Sequence, residues 1–118
     1  MSKQRHYKNT NMKEKELKTI FEGEMGQKGV VWWSPSFQRM RWDIFTIFDC
    51  VVASRAGGPI YFYQITTISH VSHRRRKIYD YLAKQKIFVP NAFIWGYDAK
   101  HKKSRLEKII KQGHANKV

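Results

Sequence analysis

A chain of 118 residues with 23 Lys and Arg against 9 Asp and Glu is long enough for one small domain and too short for two. Its hydrophobic fraction of 42%, with aromatics at 14%, supplies one core and excludes a chain that is disordered throughout. The single Cys50 excludes a disulfide framework and a multi-cysteine zinc module, and the absence of a long apolar run or an apolar leader argues against membrane spanning and export, so a cytoplasmic protein is expected.

Residues 1–12 are polar and basic without periodicity and read as a flexible tail, leaving a domain over 13–112 and a frayed end over 113–118. Leu17, Ile20, Phe21 and Met25 recur at helical spacing, Glu14 and Lys18 stand one turn apart, and Gly26 and Gly29 supply the stop. A short strand over 30–33 ends at Ser34 and Pro35, and residues 34–41 read as a loop. Residues 44–53 are almost unbroken apolar and β-branched, the pattern of a buried strand. The turn cluster Gly57, Gly58 and Pro59 then predicts an antiparallel hairpin with a strand over 60–67.

Ser72 is the expected cap of a second helix running to about Lys86, with Ile78, Tyr81 and Leu82 inward. Pro90 and Asn91 precede an aromatic strand over 92–97, and residues 105–110 read as a final strand. The order α-β-β-β-α-β-β defines an α/β fold with a mixed sheet of about five strands and helices on its faces.

The positive charge is segmental. Residues 1–13 carry +4, 14–67 carry 0, 68–87 carry +5 and 88–118 carry +5. Basic segments around a neutral body are the footprint of a polyanion binder, because neutralising phosphates releases counterions. Arg74, Arg75, Arg76 and Lys77 fall in the first turns of the second helix, where cations oppose the macrodipole and call for a nearby anion. Arg74 to Arg76, Lys102 and Lys103 are the expected phosphate contacts. Arg39 and Arg41, beside Trp32, Trp33 and Trp42, are further nucleic-acid-binding candidates, with core packing the alternative for the tryptophans. His70 and His73 are read as loop residues facing nucleic acid and not as a zinc pair.

Between Val30 and Thr67 the only acidic residues are Asp43 and Asp49, and Asp49 sits inside the most apolar run. A carboxylate placed there is expected to be hydrogen-bonded, paired or bound to a metal. On the partner strand Phe62, Gln64 and Thr66 share one face, and Tyr61, Tyr63 and Ile65 share the other.

The run FDCVVAS, a Gly-Pro turn and YFYQITT resemble the core of the PD-(D/E)XK nuclease superfamily, in which a strand-borne Asp is followed across a hairpin by Glu-x-Lys. The layout is most similar to archaeal Holliday-junction resolvases, whose first helix carries a Glu in a context like Glu14-Lys15-Glu16-Leu17. The resemblance implies a restriction-endonuclease-like fold. It also implies a divalent Mg2+ or Mn2+ site at Asp49, Gln64 and the Ile65 carbonyl, approached by Glu14 or Glu16, and a homodimer acting on duplex or branched DNA. Gln64 stands where the second carboxylate belongs and Thr66 where the lysine belongs; the missing cation is sought in Lys77 or in one of Arg74 to Arg76. Two functions follow: a metal-dependent DNA endonuclease, or a catalytically inactive nuclease-fold DNA-binding protein that keeps the phosphate-binding surface. A structural nucleoprotein would explain the charge and leave Asp49 unexplained.

Overall fold

The computed structural model describes residues 12–37, 40, 41, 45 and 47–111. The terminal segments expected to be loose, and Arg39, Trp42 and Asp43, lie outside the described residues.

Helix α1 spans Glu14–Met25, and Leu17, Phe21 and Met25, four apart, form its buried stripe. Glu16 Oε1 accepts from the Lys13 amide at 3.2 Å and closes the N-terminus, while the Gly26 amide donates to the Glu22 carbonyl at its end. The strands are β1 (Gly29–Trp33), β2 (Ser36–Phe37), β3 (Met40–Arg41), β4 (Cys50–Ser54), β5 (Ile60–Thr67), β6 (Ala92–Asp98) and β7 (Lys103–Lys108). Helix α2, Val71–Gln85, follows β5 through a 3-10 turn at Ile68–His70. Five strands form one sheet in the order β1-β4-β5-β6-β7, antiparallel except for the β5–β6 pair, and β2 and β3 form a separate ribbon. The α/β class with a five-stranded mixed sheet is as expected.

Residues 34–41, expected as a loop, hold the paired strands β2 and β3, and three boundaries differ from expectation by two residues or more. The strand expected over 44–53 begins only at Cys50: Phe45 has φ 52°, outside the extended region, and Asp49 forms a bend. Ile47 and Phe48 are buried, but as plugs beneath α2, so their apolar character reports burial and not extension. The last strand is Lys103–Lys108; Ile109, at its end, is a buried anchor whose amide donates to the Ala92 carbonyl at 2.8 Å. Helix α2 starts one residue before Ser72, with His70 at its cap position.

Each sheet face carries one helix and one core. On the α1 face, Leu17, Phe21 and Met25 pack on Cys50, Val52, Tyr63, Ile65 and Trp95. Phe21 is the hub, meeting Tyr63, Trp95 and Trp33 edge-on at 5.0, 5.3 and 5.7 Å between ring centroids. Burial pushes the Tyr63 hydroxyl up to about 12 and the Cys50 thiol well above its usual range, so both stay protonated. On the α2 face, Ile78 and Leu82 pack with Ile47, Phe48, Ile94 and Ile109. Gly96 lets the start of α2 approach β6, because a Cβ there would stand 2.6 Å from Val71 Cγ2. Among the described residues no helix is long and apolar enough to cross a membrane.

Candidate functional site

The chemistry-bearing residues gather where β4 stops short beside β5. The Cys50–Tyr63 pair is the last rung of the β4–β5 ladder, and among the described residues no strand pairs with the following part of β5 on that side. Asp49 fills the gap. Its amide donates to the Tyr63 carbonyl at 2.8 Å, and its Oδ2 accepts from the Ile65 amide at 2.8 Å, so the side chain continues the ladder where the backbone has turned away. The same Oδ2 accepts from Gln64 Nε2 at 2.5 Å. Asp49, Gln64 and Thr66 are all buried.

Gln64 lies on the α2 face, as the strand alternation required, because Tyr63 and Ile65 pack into the α1 core. Its amide is read at both ends: Nε2 bonds Asp49, and Oε1 accepts from an Arg74 guanidinium nitrogen at 3.3 Å. The result is a carboxylate–amide–guanidinium relay from the end of β4, through β5, to the first turns of α2. Arg74 Nε is buried without an acceptor among the described residues. Leaving a buried donor unmet costs about 1–3 kcal/mol.

The basic cluster divides by position. Gln64, Ile94 and Glu107 stand side by side across β5, β6 and β7. Arg74 reaches the first of this row and Arg75 the last: Arg75 Nε and a terminal guanidinium nitrogen donate to Glu107 at 2.5 and 2.7 Å. This fork-to-carboxylate pair holds Glu107 below the usual glutamate range, chiefly through the hydrogen bonds from Arg75, and raises Arg75 by the same bonds. Arg75 thus ties α2 to β7, an ion-pair role that the expectation of a phosphate contact did not include. Arg76 and Lys77 are exposed, so the basic residue that reaches Gln64 is Arg74 and not Lys77. Lys102 and Lys103 are exposed at the β6–β7 turn. Because Thr67 pairs with Tyr97 in parallel register, this turn and the start of α2 share one end of the sheet.

Glu14 and Glu16 do not take the expected positions. They belong to α1, which covers the opposite face from Gln64; Glu14 pairs with Lys18 at 3.9 Å, and Glu16 is occupied at the helix N-terminus. Two further α1 acids serve indoles, Glu22 with Trp33 Nε1 at 2.5 Å and Glu24 with Trp95 Nε1 at 3.2 Å. Ile65 contributes its amide N–H to Asp49. His70 Nδ1 is 2.9 Å from Thr67 Oγ1, a bond beside the 3-10 turn, and His73 is exposed. Arg41 lies on β3, but its side chain falls outside the described residues, as does all of Arg39.

Magnesium and manganese favour several hard oxygen donors with carboxylates among them. Among the described residues no group of three or more His, Cys, Asp or Glu converges. Asp49 Oδ2 already accepts two donors, and Gln64 Oε1 faces a guanidinium, so a cation at Gln64 would meet a fixed positive charge. These residues fit a divalent metal poorly.

Sequence reasoning did not single out Glu107. The signal was available: it is the one acid in the otherwise basic run KSRLEK, where isolation among cations marks an ion-pair partner. No family profile, curated protein or solved structure matches the chain.

The Arg75–Glu107 tether gives a pH-dependent stability. Glu107 has its pKa lowered by folding, so its contribution is present above the ordinary value of 4.5 and fades as the pH falls through the depressed folded value. Both side chains are partly exposed, which limits the effect to about 1 kcal/mol or less. Urea midpoints of wild type and Glu107→Gln are expected to differ at neutral pH and to converge on acidification below that window.

Proposed function

We propose that the chain is a nucleic-acid-binding protein with a nuclease-like layout in which a hydrogen-bonded relay occupies the place of a metal centre. The observation that carries this reading is the double engagement of Gln64, which donates to Asp49 and accepts from Arg74. An amide held between a carboxylate and a guanidinium stabilises the junction of β4, β5 and α2 without needing a metal ion. The layout supports a restriction-endonuclease-like fold: an antiparallel β1-β4-β5 unit leads through α2 into the parallel strand β6, with α1 on the other face. The net charge of +14, with Arg76, Lys102 and Lys103 exposed, supports a polyanionic partner, and DNA is the one we name.

The meeting of Asp49 and Gln64 beside Ile65 favours a second reading, a metal-dependent DNA endonuclease using Mg2+ or Mn2+. That reading requires the cation to displace the Gln64 amide from Asp49, and plasmid cleavage in the presence of Mn2+ decides between the two.

Binding is tested by fluorescence anisotropy with labelled duplex and four-way-junction DNA over a range of NaCl concentrations. Affinity is expected to fall steeply with salt, and each of Arg76→Ala, Lys102→Ala and Lys103→Ala to reduce the log–log slope by about one. Arg75→Ala is expected to alter stability and leave the slope nearly unchanged. Affinity insensitive to salt would overturn the proposal.

A further inference from the structure

The two edges of the main sheet differ in kind. Edge strand β7, Lys103–Lys108, carries Lys103, Arg105, Glu107 and Lys108, the charged guard by which a sheet edge resists pairing. Edge strand β1, Gly29–Trp33, has the sequence GVVWW and no charge. Val30 and Trp32 are each 55% exposed, although Trp32 is among the largest apolar side chains available. They point to the α2 face, since Val31 and Trp33 pack into the α1 core, and α2 covers β5 and β6 but leaves β1 bare. Exposed Ala53 and Ile60 continue this uncharged surface inward.

The backbone identifies what fits. The Lys28 carbonyl accepts from the Arg55 amide and the Ser34 amide donates to the Asp49 carbonyl, so even-numbered residues of this stretch face β4. Gly29, Val31 and Trp33 therefore turn their N–H and C=O groups outward, and no described strand pairs with them. We propose that β1 pairs with β1 of a second copy, antiparallel about a two-fold axis at Val31. This register uses all three outward residues at once: Val31 faces itself, Gly29 faces Trp33 of the other copy, and on the order of six backbone hydrogen bonds form. It also sets Val30 against Trp32 in both directions, a β-branched–aromatic pair, and places glycine opposite the bulkier Trp33. A second copy is the fitting occupant because a two-fold interface must be self-complementary, and in a chain of net charge +14 an uncharged strand can approach its own image without like-charge contact.

The pairing makes a ten-stranded sheet with both relay sites on one face. Three strand spacings of about 4.8 Å and six residues of rise at about 3.3 Å set the two Asp49 side chains about 25 Å apart. The inference does not depend on the nucleic-acid reading.

The experiment is multi-angle light scattering on the full chain across concentration, with Trp32→Lys, Val30→Lys and Val31→Cys variants. Wild type is expected at twice the chain mass of 14.1 kDa, with association strengthened by salt because like charges are screened. Trp32→Lys is expected to be monomeric with an unchanged circular-dichroism spectrum; should it not fold, Val30→Lys serves instead. Val31→Cys is expected to form an intermolecular disulfide on mild oxidation, since facing Cα atoms in this register are about 5.5 Å apart and Cys50 is buried. A wild type that stays monomeric, or a dimer that survives both lysine variants, or a Val31→Cys protein that does not cross-link, overturns the proposal.

Discussion

Asp49→Ala is expected to lower the unfolding free energy by about 2–5 kcal/mol, because it strands two buried donors at once. The Ile65 amide and Gln64 Nε2 both converge on Oδ2, at 2.8 and 2.5 Å, beyond the last described rung of the β4–β5 ladder. Domains of this size have about 5–15 kcal/mol in total, so the loss is visible as a fall of the urea midpoint with little change in slope. Asp49→Asn separates structure from chemistry. One amide oxygen can still accept both donors, so its stability is expected to lie much closer to wild type. An asparagine is nevertheless a far weaker ligand for a hard cation than a carboxylate. A relay role therefore predicts that Asp49→Asn keeps both fold and DNA affinity and that wild type does not cut, whereas a metal role predicts that wild type cuts and that Asp49→Asn keeps the fold but loses cleavage.

Phe21→Ala is expected to cost about 3–5 kcal/mol, the usual range for emptying a large buried aromatic site. Phe21 is fully buried and touches the rings of Trp33, Tyr63 and Trp95, which reach it from β1, β5 and β6. These side chains are themselves fixed: Trp33 and Trp95 donate to Glu22 and Glu24 of the same helix. The cavity therefore cannot collapse cheaply, and α1 is expected to loosen from the sheet. Hydrogen exchange over Glu14–Met25 measures this, with protection falling there more than in α2.

The helices and the pairing of β4 with β5 were legible in the sequence because each rests on a local pattern. The stripe Leu17, Phe21, Met25 fixes α1, and the Gly57-Gly58-Pro59 turn fixes the hairpin. Alternation also placed Gln64 and Thr66 opposite Tyr63 and Ile65. The start of β4 was not legible, because Ile47 and Phe48 are as apolar as a buried strand while serving as core plugs. Nor could a sequence tell Arg74 from Arg75: adjacent on one helix, they diverge only because Gln64 and Glu107 stand on either side of Ile94. That α1 covers the face opposite Gln64 was not legible either, since spacing sets which helix face a residue occupies but not which sheet face that helix covers.

The most direct measurement is incubation of supercoiled plasmid and four-way-junction DNA with wild type and Asp49→Asn in the presence of Mn2+, scored in parallel for retention and for strand breaks. The relay account predicts that both proteins retain the DNA and neither cuts it. Strand breaks made by wild type and absent with Asp49→Asn would contradict it.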